Sequence, residues 1–281
     1  MNEKRNRLII QRILVALDGS PHSQSALEAA VNLAGLLNAE LIGVFVEDIN
    51  LLRLAQLPFA HEIQAHTAVS EKLNMDRMKR QLRLQAQQAE ENLAQLAQQH
   101  TVSYSFRIMR GPVSAELLAA ALEADLLALG RISRSVSRKT RLGSTARTAV
   151  NQTTHPVLLM SPNVALDRPI LLVYDGSAGA NKALDVAAYL AQGNGRLQVL
   201  LWADNKQHAT DYQHAITQTL QTENLKLEFR YLTPADSANL AYIMKLSGMG
   251  LMVLNDTDSR LPAATIHTLV EELDHPVLLV R

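Results

Sequence analysis

The hydrophobic positions of the chain alternate between short continuous apolar runs and longer stretches in which apolar residues recur at helical spacing. The runs at residues 13–17 (ILVAL) and 41–46 (LIGVFV) are typical of buried strands, and the Ala- and Leu-rich stretch between them is typical of a helix. The pattern predicts further strands at 102–109, 126–129 and 155–160 and helices at 23–37, 71–99, 114–122 and 144–152. Alternating strands and helices predict parallel crossover units in an open α/β sheet with helices on both faces.

The pattern then repeats in the second part of the chain. Residues 12–20 (RILVALDGS) return as residues 169–177 (PILLVYDGS) at an offset of 157, and HPVLL at 155–159 returns at 275–279. Two matches in the same order indicate a tandem duplication. The sequence therefore predicts two domains, at residues 1–161 and 168–281, with a short linker between them.

A strand, a basic loop and a helix start follow one another at residues 126–145. This arrangement places free backbone N–H groups and the positive end of a helix dipole at the sheet edge, which suits a phosphate. No acidic residue lies between Asp125 and Asp167. Either the loop binds an anion, or it is a solvated basic loop followed by an ordinary helix cap. The basic residues of this stretch are Arg131, Arg134, Arg138, Lys139, Arg141 and Arg147.

The matching loop of the second copy differs in length and in charge. Leu126 matches Leu251 at an offset of 125, whereas His155 matches His275 at 120, so this loop is five residues shorter. It contains no glycine and carries carboxylates that would repel a phosphate. We expect the second copy to keep the scaffold without the site.

Composition and charge exclude several classes of function. The 281 residues include no cysteine, which rules out disulfides and thiolate chemistry, and the formal net charge is zero, so no general nucleic-acid surface is expected. The nine histidines show no metal-ligand spacing, and no metal site is predicted. The absence of an apolar leader and of an 18-residue apolar run predicts a cytoplasmic protein without a membrane partner.

A strand that ends in Asp-Gly-Ser, a glycine-containing loop that ends in Gly-Ser, and a closing His-Pro-Val-Leu strand together resemble the universal stress protein family. The resemblance covers both copies and implies two tandem five-stranded parallel sheets of order 3-2-1-4-5, an adenine nucleotide alpha hydrolase-like fold. It also implies ATP or a related adenine nucleotide, with any Mg²⁺ carried by the phosphates. By this resemblance Asp18 and Val46 would hold the nucleoside, and the phosphates would meet Gly130, Ser133, Gly143, Ser144 and Thr145.

Two of these residues, Ser133 and Asp18, also allow an interpretation without nucleotide binding. Ser133 stands where the family has a glycine, and a non-glycine held at positive φ costs roughly 1–2 kcal/mol, which is about tenfold in affinity. Its hydroxyl and the nearby arginines are the features that offset this cost. Asp18 belongs to an Asp-Gly-Ser-Pro sequence, which is also a common turn that begins a helix.

The resemblance implies a stress-response regulator with a nucleotide in the first domain rather than an enzyme, with slow ATP hydrolysis at most. A scaffold that binds no nucleotide and acts through protein contacts is the alternative. A third hypothesis, in which the basic loop binds another anion, is weakened because the loop lacks aromatic residues for base stacking. The two apolar fifth strands are expected to pair within the chain as a pseudo-dimer. The Met/Leu stripe of the helix at 71–99 is a candidate surface for a homodimer.

Overall fold

The computed structural model describes most of the chain. The residues that it describes are 10–57, 61–63, 70–132, 142–162, 168–233, 250–272 and 275–281.

The first half contains seven strands and five helices in its described residues. They are β1 (Arg12–Leu17), α1 (Pro21–Leu37), β2 (Glu40–Asp48), α2 (Ile49–Leu54), β3 (His61–Ile63), β4 (Ser70–Lys72), α3 (Met75–Gln99), β5 (Tyr104–Gly111), α4 (Val113–Ala121), β6 (Leu126–Gly130), α5 (Ser144–Gln152) and β7 (Val157–Met160).

The second half is shorter. Its described elements are β8 (Ile170–Tyr174), α6 (Ala178–Ala191), β9 (Arg196–Trp202), α7 (Lys206–Thr219), β10 (Lys226–Leu232), β11 (Met252–Asn255), α8 (Ala263–Glu272) and β12 (Val277–Val280).

The main strands form one continuous sheet of ten strands in the order β10-β9-β8-β11-β12-β7-β6-β1-β2-β5. In this sheet all strand pairs within each half are parallel and the order is 3-2-1-4-5, so the fold class predicted from the sequence is confirmed. The halves meet at an antiparallel pair, β7 with β12, in which Leu158 lies opposite Leu278. The two five-stranded sheets are therefore joined rather than separate.

Each face of the sheet is covered by helices. Ile13 and Val15 of β1 face the core under α1 and α3, whereas Leu14 faces the core under α4 and α5. Burial on both faces explains why β1 is a continuous apolar run. β1 pairs with β2 on one side and with β6 on the other, so the strand order reverses between β1 and β6. In the described part of the chain, no helix combines the length and apolar character needed to cross a membrane.

The start of α3 corrects the predicted helix at 71–99. Residues 70–72 form β4, which pairs with β3 in a hairpin, and the helix begins at Met75. Asn74 sets this start because its side-chain oxygen accepts hydrogen bonds from the backbone N–H groups of Asp76 and Arg77, at 2.9 and 3.1 Å. The predicted start at residue 71 was therefore four residues too early.

Candidate functional site

The carboxyl ends of β1 and β2 bring the two nucleoside candidates together. Leu17 pairs with Phe45 in the parallel register, so the next residues, Asp18 and Val46, lie side by side. Both are partly buried. β6 ends on the other side of β1, at the point where the strand order reverses, which is where open α/β sheets form ligand crevices.

The Asp-Gly-Ser sequence forms a turn that begins a helix. The Asp18 carboxylate accepts a hydrogen bond from the backbone N–H of Ser20 at 2.8 Å, and Gly19 supplies a φ of 71°. The Ser20 hydroxyl oxygen then caps α1 by accepting from the N–H of Ser23 at 3.1 Å. The turn thus gives Asp18 a structural role that needs no ligand.

Gly130, at the end of β6, makes close contact with the first turn of α1. A Cβ atom at this position would lie 2.7 Å from the carbonyl carbon of His22 and 2.8 Å from the backbone nitrogen of Ser23. These are backbone atoms that cannot move aside without shifting the helix. Packing alone therefore requires a glycine here.

The phosphate candidates lie at the start of α5. Gly143 is its N-cap residue, with φ −68° and ψ 160°, and its N–H donates to the carbonyl of Arg131 at 2.7 Å. The first helical hydrogen bond runs from Arg147 N to the Gly143 carbonyl at 2.9 Å. Within the described residues, the N–H groups of the three positions between them have no partner, as is usual in the first turn of a helix. Two of these positions are the candidates Ser144, which is exposed, and Thr145, which is half-buried.

The basic loop is described only at its ends. The candidate Ser133 lies outside the described residues, as do Arg134, Arg138, Lys139 and Arg141. Two of the arginines expected to serve an anion contact the second half instead. Arg131 is fully buried and donates to carbonyl groups of that half, and Arg147 pairs with Glu271 at 2.8 Å. The local charge pattern could not reveal these partners because they lie more than a hundred residues away in the chain.

The matching edge of the second half is filled by its own side chains. Asp175 repeats the turn contact of Asp18, accepting from Ser177 N at 3.0 Å. Its other carboxylate oxygen accepts from the Ser259 hydroxyl at 2.7 Å and from Arg260 N at 2.6 Å. Burial alone would raise the pKa of Asp175, but the hydrogen bonds from Ser177, Ser259 and Arg260 outweigh it, and the pKa lies below its usual value.

Aromatic side chains also cover this edge of the second half. The Tyr212 ring lies so near Gly176 that a Cβ there would come within 2.4 Å of it. Tyr212 also meets Tyr174 edge to face, with ring centroids 5.6 Å apart, and its hydroxyl oxygen accepts from Arg260 at 2.7 Å. Burial, then the neighbouring Tyr212 and Asp175, raise the pKa of Tyr174. This edge is thus occupied by the protein itself.

The described residues contain a cavity away from this edge and no cluster of metal-ligating side chains. A cavity of 480 Å³ lies between α1 and α6, and none of the predicted site residues lines it. Half of its lining residues are leucine or isoleucine. Among the residues that the structure describes, no group of three or more histidines and carboxylates is placed to hold a metal ion. The candidate site is therefore the carboxyl edge of the first half.

Comparison with known proteins adds a family and a fold. The model of the universal stress protein family matches residues 10–161. No curated protein matches the chain. A universal stress protein from Archaeoglobus fulgidus DSM 4304 is similar in structure, with 15% identity, 97% of each chain covered and a TM-score of 0.70. A protein of unknown function from Pseudomonas aeruginosa PAO1 shares 16% identity over 97% of this chain and 92% of its own, with a TM-score of 0.63. At these identities the likeness shows a common fold over both halves.

Proposed function

The chain belongs to the universal stress protein family, and from this premise we propose that its N-terminal half binds ATP or a related adenine nucleotide at the carboxyl edge of β1, β2 and β6. The observation that carries the proposal is the reversal of strand order between β1, which ends just before Asp18, and β6, which precedes α5 in the chain. Val46 lies on β2, which pairs with the other side of β1. Such an edge is the usual ligand crevice of open α/β sheets.

The residues at the start of α5 fit a phosphate group. The first turn of α5 contains no acidic side chain, and its free N–H groups lie at the positive end of the helix dipole. The hydroxyls of Ser144 and Thr145 add donors beside them. Gly143 would act as the cap that orients the helix, because its own N–H is already bonded to Arg131. Any Mg²⁺ would arrive with the phosphates.

The second half is proposed to be structural. Ser259, Arg260 and Tyr212 satisfy or cover the edge around Asp175, which leaves the nucleotide to the first half. We propose domain limits of 1–161 and 168–281, and a cytoplasmic regulator of stress adaptation rather than an enzyme. In this proposal the β7–β12 pair makes the chain an intramolecular counterpart of a dimer.

A scaffold that binds no nucleotide is the second candidate. Two observations favour it. Gly130 is required by its contact with His22, and the N–H of Gly143 is consumed by Arg131, so both glycines have roles that need no ligand. If this candidate is correct, the protein acts through contacts of its surface with other proteins.

Calorimetric titration with ATP and Mg²⁺ separates the two candidates. We expect binding at about one site per chain, and loss of binding in Gly143→Asp, whose carboxylate would lie where the phosphates arrive. Asn and Asp are equally good helix caps. Gly143→Asn is therefore the matched control, which adds the same bulk without charge and should bind more tightly than Gly143→Asp. Absence of binding to the wild type at millimolar ATP would exclude the nucleotide proposal and favour the scaffold.

A further inference from the structure

A buried arginine at the start of the basic loop contacts the other half of the molecule. Arg131 is 0% exposed. Its backbone N–H donates to the Met160 carbonyl at 3.0 Å, and its own carbonyl accepts from Gly143 N at 2.7 Å, which closes the loop. Its guanidinium group donates to the carbonyls of Val270, at the end of α8, and of His275, the latter at 3.3 Å. One residue therefore takes part both in closing the loop and in the contact between the halves.

A second arginine makes the reverse contact. Arg281 follows β12 and donates to the carbonyls of Val150 and Thr153, at the carboxyl end of α5. The Asp256 carboxylate orients it, with an N···O distance of 2.8 Å. Arg281 thus belongs to the second half and holds a helix of the first.

The two contacts are related by the internal repeat. Val150 and Val270 are matching residues at an offset of 120, and Asp256 occupies the position that matches Arg131 at an offset of 125. In both cases a guanidinium group lies against carbonyls at the carboxyl end of a helix, where the helix dipole favours a cation. One half supplies its arginine directly, whereas the other supplies an aspartate that holds an arginine from elsewhere in the chain.

As a result, α5 is held at both ends. Its first residues follow Gly143, whose N–H is fixed by Arg131, and its last carbonyls are fixed by Arg281. Arg147, on the same helix, pairs with Glu271 of α8 at 2.8 Å. A movement of α5 on ligand binding must therefore change the contact between the halves.

We propose that Arg131 and Arg281 couple occupancy of the α5 amino terminus to the contact between the two halves. Nucleotide binding would strengthen that contact, and loosening the contact would weaken nucleotide binding, because coupling between two sites is reciprocal. The inference rests on the proposed function for its ligand, but the hydrogen bonds that make the link are formed by the protein alone.

Arg281→Met is the test variant, because Arg281 lies at the opposite end of α5 from the proposed phosphates. A nine-residue helix spans roughly 13 Å, so direct contact with the nucleotide is not involved. We expect ATP affinity to fall about tenfold. The matched control is Arg196→Met, which removes an exposed arginine of the second half that pairs with Glu228. Arg281→Lys is the second variant, for use if the methionine variant does not fold.

Hydrogen exchange separates this inference from the proposed function. In the nucleotide-free protein, Arg281→Met should speed exchange of the Gly143 amide at the far end of α5, whereas Arg196→Met should not. Unchanged exchange at Gly143 overturns the coupling whether or not ATP binds. If the wild type binds ATP and Arg281→Met binds it equally well, the coupling is wrong and the proposed function stands. If the wild type binds no ATP, the proposed function and the nucleotide-linked coupling both fail, and faster Gly143 exchange would then show a mechanical link without a nucleotide.

Discussion

Gly130 and Asn255 occupy matching positions at the ends of β6 and β11, and the side chain that one lacks is present in the other. Gly130 leaves room for His22 in the first turn of α1. Asn255 instead fills the space above Gly179 in the first turn of α6, where a Cβ would come within 2.1 Å of its amide oxygen. The two halves have exchanged the large and the small residue across the same strand-to-helix contact.

This contact predicts the effect of adding a methyl group at Gly130. Gly130→Ala should lower the free energy of unfolding by about 1–3 kcal/mol, because overpacking forces the backbone of α1 away from the sheet. Denaturant unfolding without nucleotide measures it. Gly193→Ala is the control, since among the described residues its Cβ would meet only the Leu190 carbonyl, at 3.8 Å. Equal stability of Gly130→Ala and Gly193→Ala would show that Gly130 is not required for packing.

The ion pair beside Val46 should matter more than a similar pair on the open surface. Glu47 of β2 is only 7% exposed and accepts from Arg110 at 2.7 Å. Arg110→Met leaves this carboxylate without its cation and should cost about 1–3 kcal/mol of unfolding free energy. Arg107→Met is the matched control. It breaks a pair with Glu123 of the same 2.7 Å length in which both side chains are about half exposed, and it should cost less than about 1 kcal/mol.

The double variant Arg110→Met, Glu47→Gln provides the second arm of that experiment. Removing the charge of Glu47 as well should recover part of the lost stability, because the neutral amide has a smaller desolvation cost than an unpaired carboxylate. A double variant less stable than Arg110→Met alone would mean that the pair is not what stabilises this end of β2.

The repeated fold could be predicted from the sequence, because buried strands and helices leave apolar patterns among residues that are close together in the chain. The strands around Leu14 and Leu158 follow from such local patterns and from the duplication, whereas the strand order of both halves follows from the resemblance to the universal stress protein family. Contacts between the halves could not be predicted in the same way. The basic residues around Arg131 predict an anion-binding surface, but the structure buries Arg131 against Val270. Its partners could not be predicted because they lie 139 and 144 residues away in the sequence.

The candidate site is an intermediate case. The proximity of Asp18 to Val46 follows from parallel register, which the strand assignments imply. The packing role of Gly130 is not visible from the first half alone, because no residue near Gly130 in the sequence shows that the first turn of α1 touches it. One signal was present. Gly179 is the counterpart of His22, and Asn255 is the counterpart of Gly130. This reciprocal exchange indicates a contact between the two positions.

The lowered pKa of Asp175 predicts that the free energy of unfolding depends on pH. Its pKa in the folded protein is lower than the unfolded value of about 3.9, so folding favours the ionised form. Its contribution is therefore complete above about pH 4 and is lost as the pH falls through the folded pKa. Asp175→Asn places an amide N–H₂ or a weaker acceptor opposite Ser259 and Arg260, and should lower the unfolding free energy at pH 7 by about 1–3 kcal/mol.

Denaturant unfolding of Asp175→Asn and the wild type at pH 7 and near pH 3 measures this dependence. The difference between the two proteins should shrink at the lower pH, because the carboxyl of the unfolded wild type takes up a proton there more readily than the folded carboxyl, whose pKa is lower, while the amide takes up none. Asp204→Asn, at an exposed position of the same half, should show a small and nearly pH-independent difference. A difference for Asp175→Asn that stays constant between the two pH values would mean that ionised Asp175 does not hold the second half's edge closed, and the proposal that this edge is structural would lose its main support.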